Sequence, residues 1–126
     1  EISACLVGSE MCIRDSIDAY GGITAAVNAL RQKAGHMLQI EVETRNLEEV
    51  QEAVDCGVNV IMLDNMDCPT MAKAVKLVNG RAKLEASGNV TMENIREVAE
   101  SGVDIISLGA LTHSVKAFDI SMKWKK

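Results

Sequence analysis

Two acids and two glycine-containing loops fall at matching points of a regular pattern in this 126-residue chain. Glu43 closes the alternating run Leu38-Gln39-Ile40-Glu41-Val42-Glu43, and Asp64 follows the apolar run Val58 to Leu63. Carboxylates at the ends of neighbouring strands can bind a divalent metal, accept hydrogen bonds from sugar hydroxyls or steady a developing positive charge. Either acid alone reads equally well as a solvated strand end or a helix cap. Their recurrence at two consecutive strands favours chemistry. Ser87-Gly88-Asn89 and Ser107-Leu108-Gly109-Ala110 then supply backbone N–H groups of the kind that bind phosphate. One such loop would mean little, since glycine in a turn is ordinary. The pair beside two acids describes a pocket for a phosphorylated sugar. His113 stands within reach of such a phosphate, with a plain surface histidine as the alternative. His36 lies in a helix-to-strand connection and takes no role.

These residues need elements to position them. Ile23, Ala26, Val27 and Leu30 recur on one helical face after Gly21-Gly22, in a helix ending near Gly35. Leu38 to Glu43 alternates as a strand. Asn46 is placed to cap a helix carrying Leu47, Val50 and Val54, closed by Gly57. Val58 to Leu63 has the β-branched content of a strand buried on both faces. The alternation repeats: Asp67 caps and Pro69 suits the first turn of a helix running to Val78, closed by Asn79-Gly80. Ala82 to Ala86 is a strand, Thr91 to Glu100 a helix closed by Gly102, and Asp104 to Leu108 a further strand. A shift of 45 residues superposes Glu52, Gly57, Val58, Ile61 and Leu63 on Glu97, Gly102, Val103, Ile106 and Leu108. That shift equals two βα units. Near-equal units, with no early G-x-G-x-x-G turn, predict an α/β fold: a partial (βα) barrel of parallel strands rather than a doubly wound sheet. In such folds chemistry collects at the C-terminal strand ends, where both acids and both loops lie.

Composition removes other classes. Apolar residues make up 48% and charged residues 25%, a globular balance. The net charge of −5 argues against a nucleic-acid surface, and one Trp, one Tyr and one Phe offer no base-stacking platform. No apolar run reaches the roughly 18 residues of a membrane span. Cys5, Cys12, Cys56 and Cys68 match no zinc or disulfide spacing and read as free thiols in a reducing cytoplasm, with Cys56 a small core hydrophobe.

Residues 1–16 stand apart. Leu6 to Asp15 has neither helical nor strand period, no basic n-region and no sustained apolar h-region. The nucleotides CTC GTG GGC TCG GAG ATG TGT ATA AGA GAC encode those residues and resemble the end of a transposase-type sequencing adapter. The adapter then ends in AG, so the next codon gives Ser or Arg; the chain has Ser16. Residues 6–16 are therefore expected to be adapter-derived, residues 1–5 to be of uncertain origin, and the natural domain to run over 17–126. That leaves roughly 110 residues, where a complete eightfold barrel takes about 250.

From Ile17 to Lys123 the chain resembles quinolinate phosphoribosyltransferase (carboxylating nicotinate-nucleotide pyrophosphorylase). The resemblance rests on Ile40-Glu41-Val42-Glu43, Ile61-Met62-Leu63-Asp64-Asn65, Leu84 to Val90, Gly102 to His113 and the closing Ala117-Phe118-Asp119-Ile120-Ser121-Met122. It implies the C-terminal part of an incomplete α/β barrel, truncated here, from a cytoplasmic homodimeric enzyme of NAD biosynthesis. That enzyme joins quinolinate to 5-phosphoribosyl 1-pyrophosphate, releasing pyrophosphate and carbon dioxide and leaving nicotinate mononucleotide. By motif, Glu43 and Asp64 would contact the ribose hydroxyls and Mg2+. Ser87, Gly88, Asn89, Leu108, Gly109 and Ala110 would hold the 5-phosphate, with His113 beside them. The family's basic quinolinate-binding residues lie upstream of the segment matching Ile17, one Arg coming from the partner subunit, and none is present here. The chain is therefore expected to have no transferase activity alone and to be poorly soluble, its open sheet edges lacking cover. The competing readings are a different phosphate-binding barrel enzyme, a paralogue acting on another base, and a non-catalytic fragment or interaction module.

Overall fold

The computed structural model describes residues 6–7, 10–12, 14–33 and 39–109. Their elements run β1 (Leu6–Val7), β2 (Glu10–Cys12), α1 (Arg14–Tyr20), α2 (Ile23–Lys33), β3 (Gln39–Thr44), α3 (Leu47–Asp55), β4 (Val60–Asp64), α4 (Cys68–Val78), β5 (Lys83–Ser87), α5 (Ile95–Glu100) and β6 (Ile105–Ile106). One sheet holds the strands in the order β1-β2-β3-β4-β5-β6. The β1–β2 pair is antiparallel; every later pair is parallel. From β2 onward the order contains no reversal. Right-handed crossovers in an unreversed order put every connecting helix on the same face of the sheet, which is barrel winding. Among the described residues the barrel is not closed.

The two sheet faces differ as that winding requires. Ile40 and Val42 of β3, Ile61 and Leu63 of β4, and Leu84 and Ala86 of β5 point to the helices. There they join Ala26 and Val27 of α2, Val50 and Ala53 of α3, Met71 and Ala74 of α4, and Val98 of α5 in one core. Each fully buried aliphatic side chain contributes on the order of 1.5–3 kcal/mol. The alternate residues face the barrel interior, and most are polar: Glu41 and Glu43, Asp64, Lys83, Glu85 and Ser87, with Val60 and Met62 among them. Val60 is buried yet stands outside the helix-side core, as its opposite direction demands.

Local chemistry sets the boundaries. Asn46 accepts from the Glu49 N–H at 2.8 Å and Asp67 from the Thr70 N–H at 2.8 Å, so both expected caps form. Asn79 ends α4 in the left-handed conformation, φ +49°. The 45-residue repeat extends further than its apolar positions. Asn59 accepts from the Ile40 N–H at 2.9 Å, and Asp104, 45 residues on, accepts from the Leu84 N–H at 2.9 Å. Each closes the N-terminal end of a strand with a side chain.

Several boundaries depart from expectation: β3 ends at Thr44 rather than Glu43, β4 is Val60–Asp64 rather than Val58 to Leu63, and β5 is Lys83–Ser87 rather than Ala82 to Ala86. The helix expected from Thr91 begins at Ile95, because Asn94 accepts from the Thr91 N–H and donates to the Asn89 carbonyl, locking a turn instead. The last strand is only Ile105–Ile106 rather than Asp104 to Leu108, since it is paired on one side alone among the described residues. The segment expected to lack regular structure carries β1, β2 and the start of α1, and Glu10–Cys12 pairs with Gln39–Glu41. Parallel pairing is made by main-chain groups, so an extended segment needs no side-chain pattern to join an open edge.

Candidate functional site

Asp64 and Ser87 stand side by side because β4 and β5 end in register. Asp64 is the last residue of β4 and lies directly opposite Ser87, the last residue of β5. Glu43 pairs with Met62 and therefore stands on the same interior face, one diagonal step below Asp64. Glu43, Asp64 and Ser87 are each half-buried at this mouth. Glu85, one step below Ser87, is buried and accepts a hydrogen bond from the Ser107 hydroxyl. Leu108 and Gly109 follow β6 at the neighbouring strand end; the expected roles of Ala110 and His113 fall outside the described residues.

The loop after β5 is held by the turn after β4. Asn65 takes the left-handed conformation, φ +53°, and its N–H donates to the Ser87 carbonyl at 2.9 Å. Its Nδ2 donates to Asp64 Oδ1 at 2.9 Å, and its Oδ1 accepts from Asn89 Nδ2 at 2.8 Å. Gly88 lies against that side chain. A Cβ built at Gly88 would sit 2.3 Å from Asn65 Oδ1 and 2.6 Å from its Cγ, and the Gly88 φ is +83°. Glycine is required twice over, by space and by backbone conformation. Sequence reasoning places Glu43, Asp64, Ser87, Gly88 and Asn89 at one mouth but gives no role to Asn65 or Glu85. The signal for Asn65 is its place between the strand-end acid and a Gly-Asn loop one βα unit later.

Behind this brace lies a cleft of about 260 Å³ between the start of α4 and the 88–98 region, lined by Met66, Cys68, Met71, Val90, Glu97 and Val98 among others. Asn65, Gly88 and Asn89 line it as well and so border both the cleft and the mouth, while Glu43, Asp64 and Ser87 do not line it. Burial pushes the Cys68 thiol up, and the charge of Glu97 and a hydrogen bond to it push the same way. The thiol is thus a weak nucleophile. The Asp67 carboxyl is held below its ordinary value by hydrogen bonds from the Thr70 side chain and N–H.

Among the described residues no three His, Cys, Asp or Glu side chains gather as a ready metal cage. Magnesium does not require one. It keeps waters and takes one or two carboxylates together with substrate phosphates, and the oxygen donors of Glu43 and Asp64 fit that mode. The mouth therefore offers two carboxylates, a hydroxyl and a tightly turned glycine loop: groups suited to a sugar bearing a phosphate.

Comparisons with known proteins identify the family. The family model for the quinolinate phosphoribosyl transferase C-terminal domain matches residues 6–123. The probable nicotinate-nucleotide pyrophosphorylase [carboxylating] of Synechocystis sp. is 52% identical over 110 residues, covering 85% of this chain and 37% of that protein. Its counterpart in Bacillus subtilis is 47% identical over 111 residues, covering 87% and 38%. The crystal structure of NadC from Streptococcus pyogenes superposes with a TM-score of 0.82 at 35% identity, covering 98% of this chain and 42% of that one. The chain spans well under half the length of these relatives. It belongs to the quinolinate phosphoribosyltransferase family and carries that family's C-terminal domain.

Proposed function

We propose that this chain is the phosphoribosyl-holding part of an enzyme that transfers the 5-phosphoribosyl group of 5-phosphoribosyl 1-pyrophosphate to quinolinate, a pentosyl transfer in NAD biosynthesis. The quinolinate nitrogen bonds to the ribose C1 as the bond from C1 to the pyrophosphate oxygen breaks. Carbon dioxide then leaves the ring, its bonding pair stays on the ring carbon, and a proton from solvent replaces it. The observation that carries the reading is the side-by-side placement of Asp64 and Ser87, with Glu43 on the same face and Gly88 and Asn89 held against them by Asn65.

In this reading the Ser87 hydroxyl and the N–H groups of Gly88 and Asn89 hold the 5-phosphate, together with Leu108, Gly109, Ala110 and His113. Asp64 and Glu43 accept hydrogen bonds from the ribose hydroxyls. Loss of pyrophosphate leaves positive charge on the sugar ring, and two fixed carboxylates stabilise that charge more than they stabilise the neutral ring of the ground state. Magnesium, held by the same two acids with the donor's phosphates, supplies charge neutralisation for the departing pyrophosphate. The partners are quinolinate and the phosphoribosyl donor, with neither nucleic acid nor membrane. Among the described residues no helix is long and apolar enough to cross a membrane. We place the enzyme in the cytoplasm as a homodimer.

We also read residues 6–16 as adapter-derived, joined in frame at Ser16 to the natural sequence. The DNA upstream of Ile17 at the intact locus decides this: unrelated coding sequence supports it, and the same stretch in genomic DNA overturns it. The functional test uses the full-length protein from that locus. It should release carbon dioxide from quinolinate only when phosphoribosyl pyrophosphate is present, and D64N should abolish the release. The 126-residue chain alone should release none. A full-length protein that binds phosphoribosyl pyrophosphate but leaves quinolinate untouched would give the reading up in favour of another base.

A further inference from the structure

We infer that Asn65 is a positioning residue that sets the distance between the two poles of the site, the carboxylate of Asp64 and the phosphate loop at Gly88-Asn89. The inference rests on the proposed phosphoribosyl transfer and deepens it. The Asn65 amide works in two directions: Nδ2 donates to Asp64 Oδ1 at 2.9 Å and Oδ1 accepts from Asn89 Nδ2 at 2.8 Å. Its main-chain N–H is tied to the Ser87 carbonyl at 2.9 Å, and its side chain fills the space where a Cβ of residue 88 would stand. The carboxylate, the amide and the loop are thus one connected body rather than three neighbours.

The backbone supports the same assignment. Among the described non-glycine residues Asn65, Asn79 and Asn89 have positive φ, at +53°, +49° and +52°. Asn79 is accounted for, because it caps the C-terminus of α4. Asn65 and Asn89 cap no helix end. They are the two residues joined by the side-chain bond, and left-handed conformations held outside caps gather where geometry serves a site. A donor whose 5-phosphate sits on the loop while its ribose hydroxyls meet Asp64 is read as a fixed span. Asn65 is the ruler.

The test compares N65G, N89G and the double variant in the full-length protein, with phosphoribosyl pyrophosphate varied at saturating quinolinate. Glycine keeps the left-handed backbone, so the substitutions remove the side-chain bonds without strain. N89G should raise the donor KM about tenfold with kcat little changed, the scale of one lost hydrogen bond. N65G should raise the donor KM as far and also lower kcat, because the Asp64 carboxylate loses its anchor. The double variant should match N65G within about twofold, since both changes cut the same bond. A merely structural role would lower the melting temperature and the active fraction, cutting kcat with KM unmoved; that pattern overturns the inference, as do effects that multiply in the double variant. Should the wild type bind the donor but release no carbon dioxide, the quinolinate reading falls. Calorimetric Kd values for phosphoribosyl pyrophosphate then decide the ruler by the same tenfold and non-additive criteria. A wild type that binds no donor overturns both.

Discussion

Replacing Gly88 with alanine tests the close approach at the mouth directly. The new Cβ would arrive 2.3 Å from Asn65 Oδ1, more than 1 Å inside ordinary contact, so the Asn65 side chain must leave. Its departure cuts the bonds to Asp64 and from Asn89, each worth about 0.5–1.5 kcal/mol net. The backbone at φ +83° adds about 1–2 kcal/mol for a residue with a Cβ. G88A should therefore destabilise the full-length protein by about 2–5 kcal/mol, measured as a lower urea midpoint at unchanged m-value. Placing the same change in an N65G background removes the obstacle and leaves only the backbone cost of about 1–2 kcal/mol. The expected signature is that G88A costs clearly less in the N65G background than in the wild type. Equal costs in both backgrounds, or a G88A midpoint like the wild type, would refute the packing argument.

Two further outcomes follow from the flank of α4. Asp67 has its folded-state carboxyl below the ordinary value of 3.8, so its cap contributes fully above that pH and is lost as pH falls through the lower folded value. The melting-temperature gap between wild type and D67A should be constant near neutrality and close in strong acid, and a gap that persists there would count against the cap's charge. The Cys68 thiol is pushed above its ordinary value of 9.0 by burial and Glu97, so its rate with a disulfide reagent should reach half-maximum above that pH, and E97Q should bring the midpoint down. Identical profiles for the two proteins would remove Glu97 from the account.

What can be read from residues alone follows a physical division. The caps at Asn46 and Asp67, the αL end at Asn79 and the acid ending β4 are local events, each decided within a few residues, and each forms where its residue type predicts, whereas Glu43 stands one residue inside the end of β3. The start of α5 escapes the sequence pattern because Asn94 competes for the backbone through two side-chain bonds that no apolar period reveals. Asn65 escapes it for a related reason. Its function lies in contacts with residues 64, 87, 88 and 89 that exist only once two strands are paired in register. Asn59 and Asp104 show both sides at once. Their 45-residue spacing is visible in the chain, but their shared task, holding the N–H of the second residue of a neighbouring strand, is visible only in the sheet.

The unreversed strand order has a kinetic consequence. Glu41 meets Val60, Val60 meets Lys83 and Glu85 meets Ile105, so every parallel contact from β3 onward joins chain positions roughly twenty residues apart. Loop-closure entropy is then nearly the same for each strand added, and no step must wait for a distant partner. The sheet can grow one βα unit at a time, each new edge serving as the template for the next. Such growth keeps every closure at a similar, moderate chain separation, and each open edge presents main-chain groups to an extended segment. Glu10–Cys12 pairs with Gln39–Glu41 of β3 through the same main-chain groups.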